Sequence, residues 1–287
     1  MTTTDYARAF VQFNRVTPPR YFAVDIAIFS LPVVLAAPDN SVGTVAAIGL
    51  LSWLFVRGAA LTLDDYFDAE ADAIEKAYRP IPSGLVTRRQ ALFIAVAMLL
   101  AGLGLAAIVG PRFLVAVIAL LSILASDPLV FNKFDVPGIS TLVTVTSVSM
   151  ASCMGWLVYG DVGVSLVVVF ATTWFWDLSH DTIGAYLDRD GDTQADIQSL
   201  GRDLSRTTVA GIVGVCTVVF ASLLGSAVPG GFPWILVPFG LSGAVVVITA
   251  GFGSGWFRPQ TVRRAVEWNV VVSYAFVAVA SVGGGLL

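Results

Sequence analysis

Long apolar runs separated by short polar loops constrain this chain more than any other feature. A helix needs about 20 mostly apolar residues to cross the hydrocarbon core of a bilayer. Nine stretches approach that length, at roughly 21–37, 42–64, 90–109, 112–126, 138–159, 163–187, 205–226, 233–252 and 265–285. The fourth is short, and the sixth carries polar residues near its end. Pro18, Pro19, Pro38, Gly110, Pro111, Pro137, Gly138, Pro229 and Gly230 punctuate the boundaries. A porin-like barrel would show short alternating segments, and these runs are too long and continuous for that. Composition agrees: the 287 residues are 56% hydrophobic and 13% charged, against about 25% charged in an average soluble domain. The chain is predicted to be an all-α integral membrane protein, a single domain over 1–287 with nine transmembrane helices.

Several function classes drop out on composition. The net charge of −4 and the lack of a basic run offer nothing to a phosphate backbone, so no nucleic-acid partner is expected. Cys153 and Cys216 sit in separate apolar segments and read as packing residues rather than a disulfide or metal framework. The first twenty residues are polar and show no signal-peptide pattern.

Basic residues orient the spans, because cytoplasmic loops collect Lys and Arg. Of the 16 basic residues, only Arg112 falls on the opposite side and Arg57 lies inside a span. The N-terminus is therefore expected in the cytoplasm. In a prokaryote the membrane would be the inner or plasma membrane.

The acids are concentrated. One cluster closes the second span (Asp64, Asp65, Asp68, Glu70, Asp72, Glu75), and another closes the sixth (Asp177, Asp181, Asp188, Asp190, Asp192, Asp196). Both fall at the predicted cytoplasmic mouth. Asp64, Asp68 and Asp72 recur every four residues, as do Asp177 and Asp181, and Asp188 and Asp192. On a helix such residues share a face, where like charges repel. A solvated acidic loop would explain either cluster alone. Two clusters on one side, with helical spacing, point instead to a shared cation. Mg²⁺ suits this setting, since it takes oxygen ligands and bridges carboxylates to substrate phosphates. The sole histidine, His180, excludes a His/Cys zinc set.

These residues resemble a known family. The stretch from Asp64 to Gly84, DDYFDAEADAIEKAYRPIPSG, is similar to the first signature of the UbiA superfamily of intramembrane prenyltransferases, an NDxxDxxxD followed by a basic residue and RPxPSG. The stretch from Asp188 to Leu200, DRDGDTQADIQSL, resembles the second. Arg57, seven residues before Asp64, matches an arginine often found in that helix, and the segment from Asp127 to Lys133 weakly resembles a lysine-bearing loop. Asp64 replaces the usual Asn, Asp196 a common Gly, Gln194 a frequent basic residue, and Gly201 a Pro. The resemblance implies two four-helix halves, roughly 21–126 and 138–252, plus a ninth helix at 265–285, arranged around a central cavity that lies under cytoplasmic loops 65–89 and 188–204.

The activity it implies is Mg²⁺-dependent transfer of an isoprenyl group from an isoprenyl diphosphate to an aromatic or lipid-like acceptor, at a site facing the cytoplasm. Asp64, Asp68 and Asp72 would serve one metal and Asp188 and Asp192 the other, with Asp181 joining the shell or supporting it. Lys76, Arg79, Lys133 and Arg189 are candidates for the diphosphate. Arg57 has two readings, substrate contact or an ion pair with an aspartate, because a charge inside a span pairs or lines a cavity. Tyr66, Phe67, Trp174, Phe175, Trp176 and Tyr186 flank the motifs and would suit an allylic cation, although membrane interfaces collect aromatics too. His180 reads as a packed histidine or a proton acceptor. A terpene cyclase on the same scaffold is the alternative, since it uses the same ionisation without an acceptor. An ion-coupled transporter is a third reading, weakened because transporter acids usually lie near the midplane.

Overall fold

The structure is a computed structural model that describes residues 3–14, 19–38, 42–129, 138–194, 200–227 and 236–283. Its order is α1 (Thr3–Phe13), α2 (Pro19–Ala36), α3 (Thr44–Phe67), α4 (Ala69–Glu75), α5 (Arg88–Val109), α6 (Pro111–Leu129), α7 (Ile139–Trp156), α8 (Val164–Gln194), α9 (Leu200–Asp203), α10 (Arg206–Ala227), α11 (Leu236–Gly253) and α12 (Pro259–Gly283). Each of the nine apolar runs falls on one of the longer helices. Six helices are long and apolar enough to cross a membrane: Thr44–Phe67, Arg88–Val109, Ile139–Trp156, Arg206–Ser226, Leu236–Gly253 and Pro259–Val282. Tyr21–Ala36 and Pro111–Ala125 are apolar but shorter. Helix α8 fuses an apolar start to an acidic end.

The bundle is built like a membrane protein. Phe93, Leu100, Val115, Val215, Val247 and Val279 are largely exposed. Such a girdle would aggregate in water and is at home against lipid. Hydroxyls join the helices inside. Ser152 of α7 donates to the Ile28 carbonyl of α2 at 2.9 Å and lies 2.5 Å from Thr173 of α8, which lies 3.1 Å from the Tyr274 hydroxyl of α12. In an apolar medium an unpaired hydroxyl is costly, so these pairs fix the mutual position of four helices. Helix α7 packs on α2, α6 and α8; α8 also packs on α10 and α12; and α3 packs mainly on α5. Gly155 permits the α7–α2 approach, because a Cβ there would collide with the Phe29 carbonyl.

Three segments differ from the sequence expectation. The polar N-terminus contains α1, whose Ala9 and Phe13 are buried with Val86 and Ala91. The expected loop 65–89 begins with α4, and Thr87 then caps α5 in a reciprocal pair with Gln90. The expected loop 188–204 begins as helix, because α8 runs on to Gln194 and carries Asp188 and Asp192.

Candidate active site

The C-terminal end of α3 enters the first motif. The helix breaks at Asp68, yet its hydrogen-bond ladder persists: Asp68 N–H donates to Asp64 O at 2.9 Å, Asp72 N–H to Asp68 O at 2.8 Å and Lys76 N–H to Asp72 O at 2.8 Å. The carboxylates were expected to share one face, but they separate by depth. Asp64 and Asp68 are exposed, whereas Asp72 and its neighbour Asp65 are buried. Partial desolvation by the surrounding chain, then Asp64 and Asp72 in that order, push the solvent-reaching Asp68 carboxyl above its ordinary range.

Arg79 folds back from the RPIPSG loop onto the buried pair. Its Nη1 lies 2.8 Å from Asp65 and 2.5 Å from Asp72. Burial opposes its charge, but Asp65 and Asp72 outweigh that and hold the guanidinium above its ordinary pKa. Arg79 and Asp72, expected on diphosphate and metal, therefore engage each other. Asp65, absent from the candidates, is the second partner. Its signal was present in the sequence as the second Asp of the DD pair. Arg88 braces the same corner, donating to Glu70 at 3.2 Å and to the Tyr66 carbonyl at 3.1 Å, with its guanidinium over the Tyr66 ring. Lys76 caps α4, and it pulls on Asp68 electrostatically.

The second motif lies at the same end of the bundle. Arg57, deep in α3, reaches Asp25 near the start of α2 at 2.6 Å and donates to Asn14 O at 3.0 Å. Tyr21, at the start of α2, lies under Arg263 of α12. Arg263 Nε is 3.3 Å from Glu267, and Glu267 is 3.4 Å from His180 Nε2 on α8. The Nδ1 of His180 faces Asp177 at 3.6 Å, and its ring stacks on Trp176. Asp181 follows, and Asp188 stands exposed further along α8. Contacts thus run from one motif helix to the other through α2 and α12. The opposite end holds the Gly43 N–H to Tyr159 hydroxyl bond and the Arg112–Asp161 ion pair. Arg189, a diphosphate candidate, lies over the Tyr186 ring. Lys133 and the side chain of Asp192 lie outside the described residues.

The donor set suits a hard cation. Among the described residues, no three His, Cys, Asp or Glu side chains close a metal shell by themselves. Mg²⁺ does not need one, because it keeps waters and shares its shell with substrate phosphates, bound through one or two carboxylates. Exposed Asp64 and Asp68, crowded enough to shift one of them, fit that requirement.

Comparison with known proteins agrees. The model of the UbiA prenyltransferase family matches residues 26–280. The digeranylgeranylglyceryl phosphate synthase of Korarchaeum cryptofilum is 32% identical over 143 residues, covering 50% of each chain. The 4-hydroxybenzoate octaprenyltransferase of Nitrosomonas europaea is 26% identical over 237 residues, covering 78% of this chain and 76% of that protein. The chain spans about half the length of the first of these relatives. A UbiA homologue from Archaeoglobus fulgidus bound to GPP and Mg²⁺ superposes with TM-score 0.70 at 15% identity, over 96% of this chain and 99% of that one. A homologue from Aeropyrum pernix K1 gives 0.71 at 16% identity, over 94% and 98%. With a family model covering nearly the whole chain and the fold shared from end to end, the chain belongs to the UbiA prenyltransferase family.

Proposed function

We propose that this protein is an integral membrane prenyltransferase that transfers an isoprenyl group from an isoprenyl diphosphate to an aromatic or lipid-like acceptor, with Mg²⁺ as cofactor. The observation that carries the reading is the gathering of both aspartate-bearing helix ends at one end of the bundle, with Asp64, Asp68 and Asp188 exposed there. Asp64, Asp68, Asp188 and Asp192 hold the metal, and Asp181 supports the second set from about two turns deeper. Mg²⁺ bound there supplies Lewis-acid charge for the departing diphosphate. Asp72 belongs to the metal-site framework through Arg79. Lys76, Lys133 and Arg189 supply cations at the mouth for the phosphates.

The chemistry follows from charge. The allylic C–O bond breaks, diphosphate leaves with the electron pair, and the allyl group is left cationic. An acceptor nucleophile forms the new bond and gives up its proton. Tyr66 and Tyr186 lie beside the motifs, where aromatic faces favour a passing cation. The apolar bundle around them excludes water, which would otherwise capture it.

The same reading places all nine long helices across the bilayer, with the N-terminus and the acidic mouth in the cytoplasm. The halves 21–126 and 138–252 form a pseudo-repeat, supported by the matching pairs α3 on α5 and α8 on α10, each following a motif helix.

The experiment is direct. Protein in lipid is incubated with Mg²⁺ and geranyl diphosphate, with and without phenolic and lipid-alcohol acceptors, and diphosphate and products are measured. Asp68→Ala and Asp188→Ala should each abolish release while helical content is retained. Full activity in both variants overturns the assignment. A cyclic hydrocarbon formed without acceptor identifies a cyclase instead.

A further inference from the structure

With prenyl transfer as the parent reaction, we infer that the acceptor reaches its site uncharged, and that Asp25 is the residue that excludes a carboxylate-bearing one. Arg57 is the described guanidinium deepest in the α3 span, two turns from Asp64 on the same helix. It is the cation an anionic acceptor would meet on passing below Asp64 into the α3 span. Its Nη2 is already 2.6 Å from Asp25, and its Nη1 donates to the Asn14 carbonyl at 3.0 Å. Both side chains of the pair are only slightly accessible, at 14% and 12%. A second carboxylate at that position would have to displace Asp25 or stand beside it in a medium that screens poorly.

Other guanidiniums of the bundle point the same way. Arg263 lies on Glu267, Arg79 on Asp65 and Asp72, and Arg206 donates to the Phe252 and Phe257 carbonyls at 2.5 Å each. Buried Asp177 adds a further acid, with one carboxylate oxygen lacking a hydrogen-bond partner. Among the described residues, each of these guanidiniums is already engaged. A carboxylate entering this interior would be a buried charge without a counter-ion, which is strongly disfavoured. An alcohol, a phenol or an alkene carries no such penalty. Specificity of this kind comes from what the site repels.

The probes are 4-hydroxybenzoate and its methyl ester, which differ in charge at one end of the ring. Binding of each is measured by equilibrium dialysis to protein in nanodiscs with Mg²⁺ and geranyl thiolodiphosphate, a donor analogue that does not ionise. Asp25→Asn should bind the benzoate at least about tenfold more tightly than the wild type, as expected when a desolvated charge is uncovered. The gain should vanish in the Asp25→Asn, Arg57→Gln double variant, and the ester should not respond. Equal benzoate binding by wild type and Asp25→Asn, tight or undetectable, overturns the inference. If Asp25→Asn does not fold alone, the readout becomes rescue of its thermal transition by the benzoate and not the ester, and absence of rescue overturns the inference equally. Mg²⁺-dependent diphosphate release from geranyl diphosphate, measured on the same wild-type preparation, tests the parent reaction separately.

Discussion

The guanidinium of Arg79 lies 2.8 Å from the carboxylate of Asp65, and this contact closes the RPIPSG loop onto the end of α3. The same nitrogen is 2.5 Å from Asp72, so one cation neutralises two buried acids. Breaking a buried pair by removing one member costs about 3–5 kcal/mol, because the other charge is stranded. Arg79→Gln should therefore lower the thermal transition in detergent by several degrees and reduce turnover with it. Arg79→Lys should recover only part, since a compact, strongly hydrated ammonium on a flexible stem is costlier to hold between two buried acids. The Arg79→Gln, Asp65→Asn double variant should lie nearer the wild type in stability than the single variant. Strict additivity of the two changes in a thermal melt would remove the pair from the framework.

Helix positions were legible because bilayer thickness sets the length of an apolar run, and every run lies on a long helix. The separation of Asp64 from Asp65 was not. Adjacent residues on a helix point about 100° apart, and spacing does not say which direction is inward. The break at Asp68 and the return of Arg79 are tertiary events. Asp25, Arg263 and Glu267 left a fainter signal. Each is a charge in or beside an apolar run, a circumstance that usually means a partner, and Arg263 and Glu267 stand four residues apart. The capping box at Thr87 and Gln90 was open to a sequence reading too, and it marks where α5 starts.

Asp64 stands where the family signature carries Asn. It is exposed and raises its neighbour Asp68. An amide oxygen can still face the cation, so Asp64→Asn should keep turnover within about tenfold of wild type. Asp68→Asn should lose at least about a hundredfold, the scale seen when a transition-state charge contact is removed. Initial rates over a Mg²⁺ titration separate the two. Equal losses would place Asp64 and Asp68 in the same role.

Gly155 carries the closest approach of α7 to α2. A Cβ built there meets the Phe29 carbonyl oxygen, which belongs to backbone and cannot rotate away. Gly155→Ala should force the helices apart at a cost of about 1–3 kcal/mol. It should also weaken the Ser152 hydrogen bond to Ile28 one turn away. The comparison is Gly104→Ala, where a Cβ meets nothing within contact distance. Gly104→Ala should leave the melting temperature unchanged or slightly raised, because alanine restricts the unfolded chain. A Gly155→Ala melt no lower than the Gly104→Ala melt would show that α2 yields freely.

Glu267 is 1% exposed yet faces two nitrogen partners, Arg263 at 3.3 Å and His180 at 3.4 Å. The first lies on its own helix and the second on α8, so its carboxylate joins the start of α12 to the stretch of α8 that holds Asp177 and Asp181. Trp176 strengthens the junction by stacking on His180 and donating its indole N–H to the Val266 carbonyl at 3.0 Å. Glu267→Gln keeps the shape and removes the charge, leaving Arg263 beside a neutral amide in a largely buried setting. A loss of about 3 kcal/mol follows from stranding that cation. Arg263→Gln combined with Glu267→Gln removes both charges and should be less destabilised than the two single losses added together, the signature of coupled neighbours. Thermal unfolding of the four proteins in one detergent closes the cycle, and a coupling indistinguishable from zero would mean that Arg263 and Glu267 do not stabilise each other.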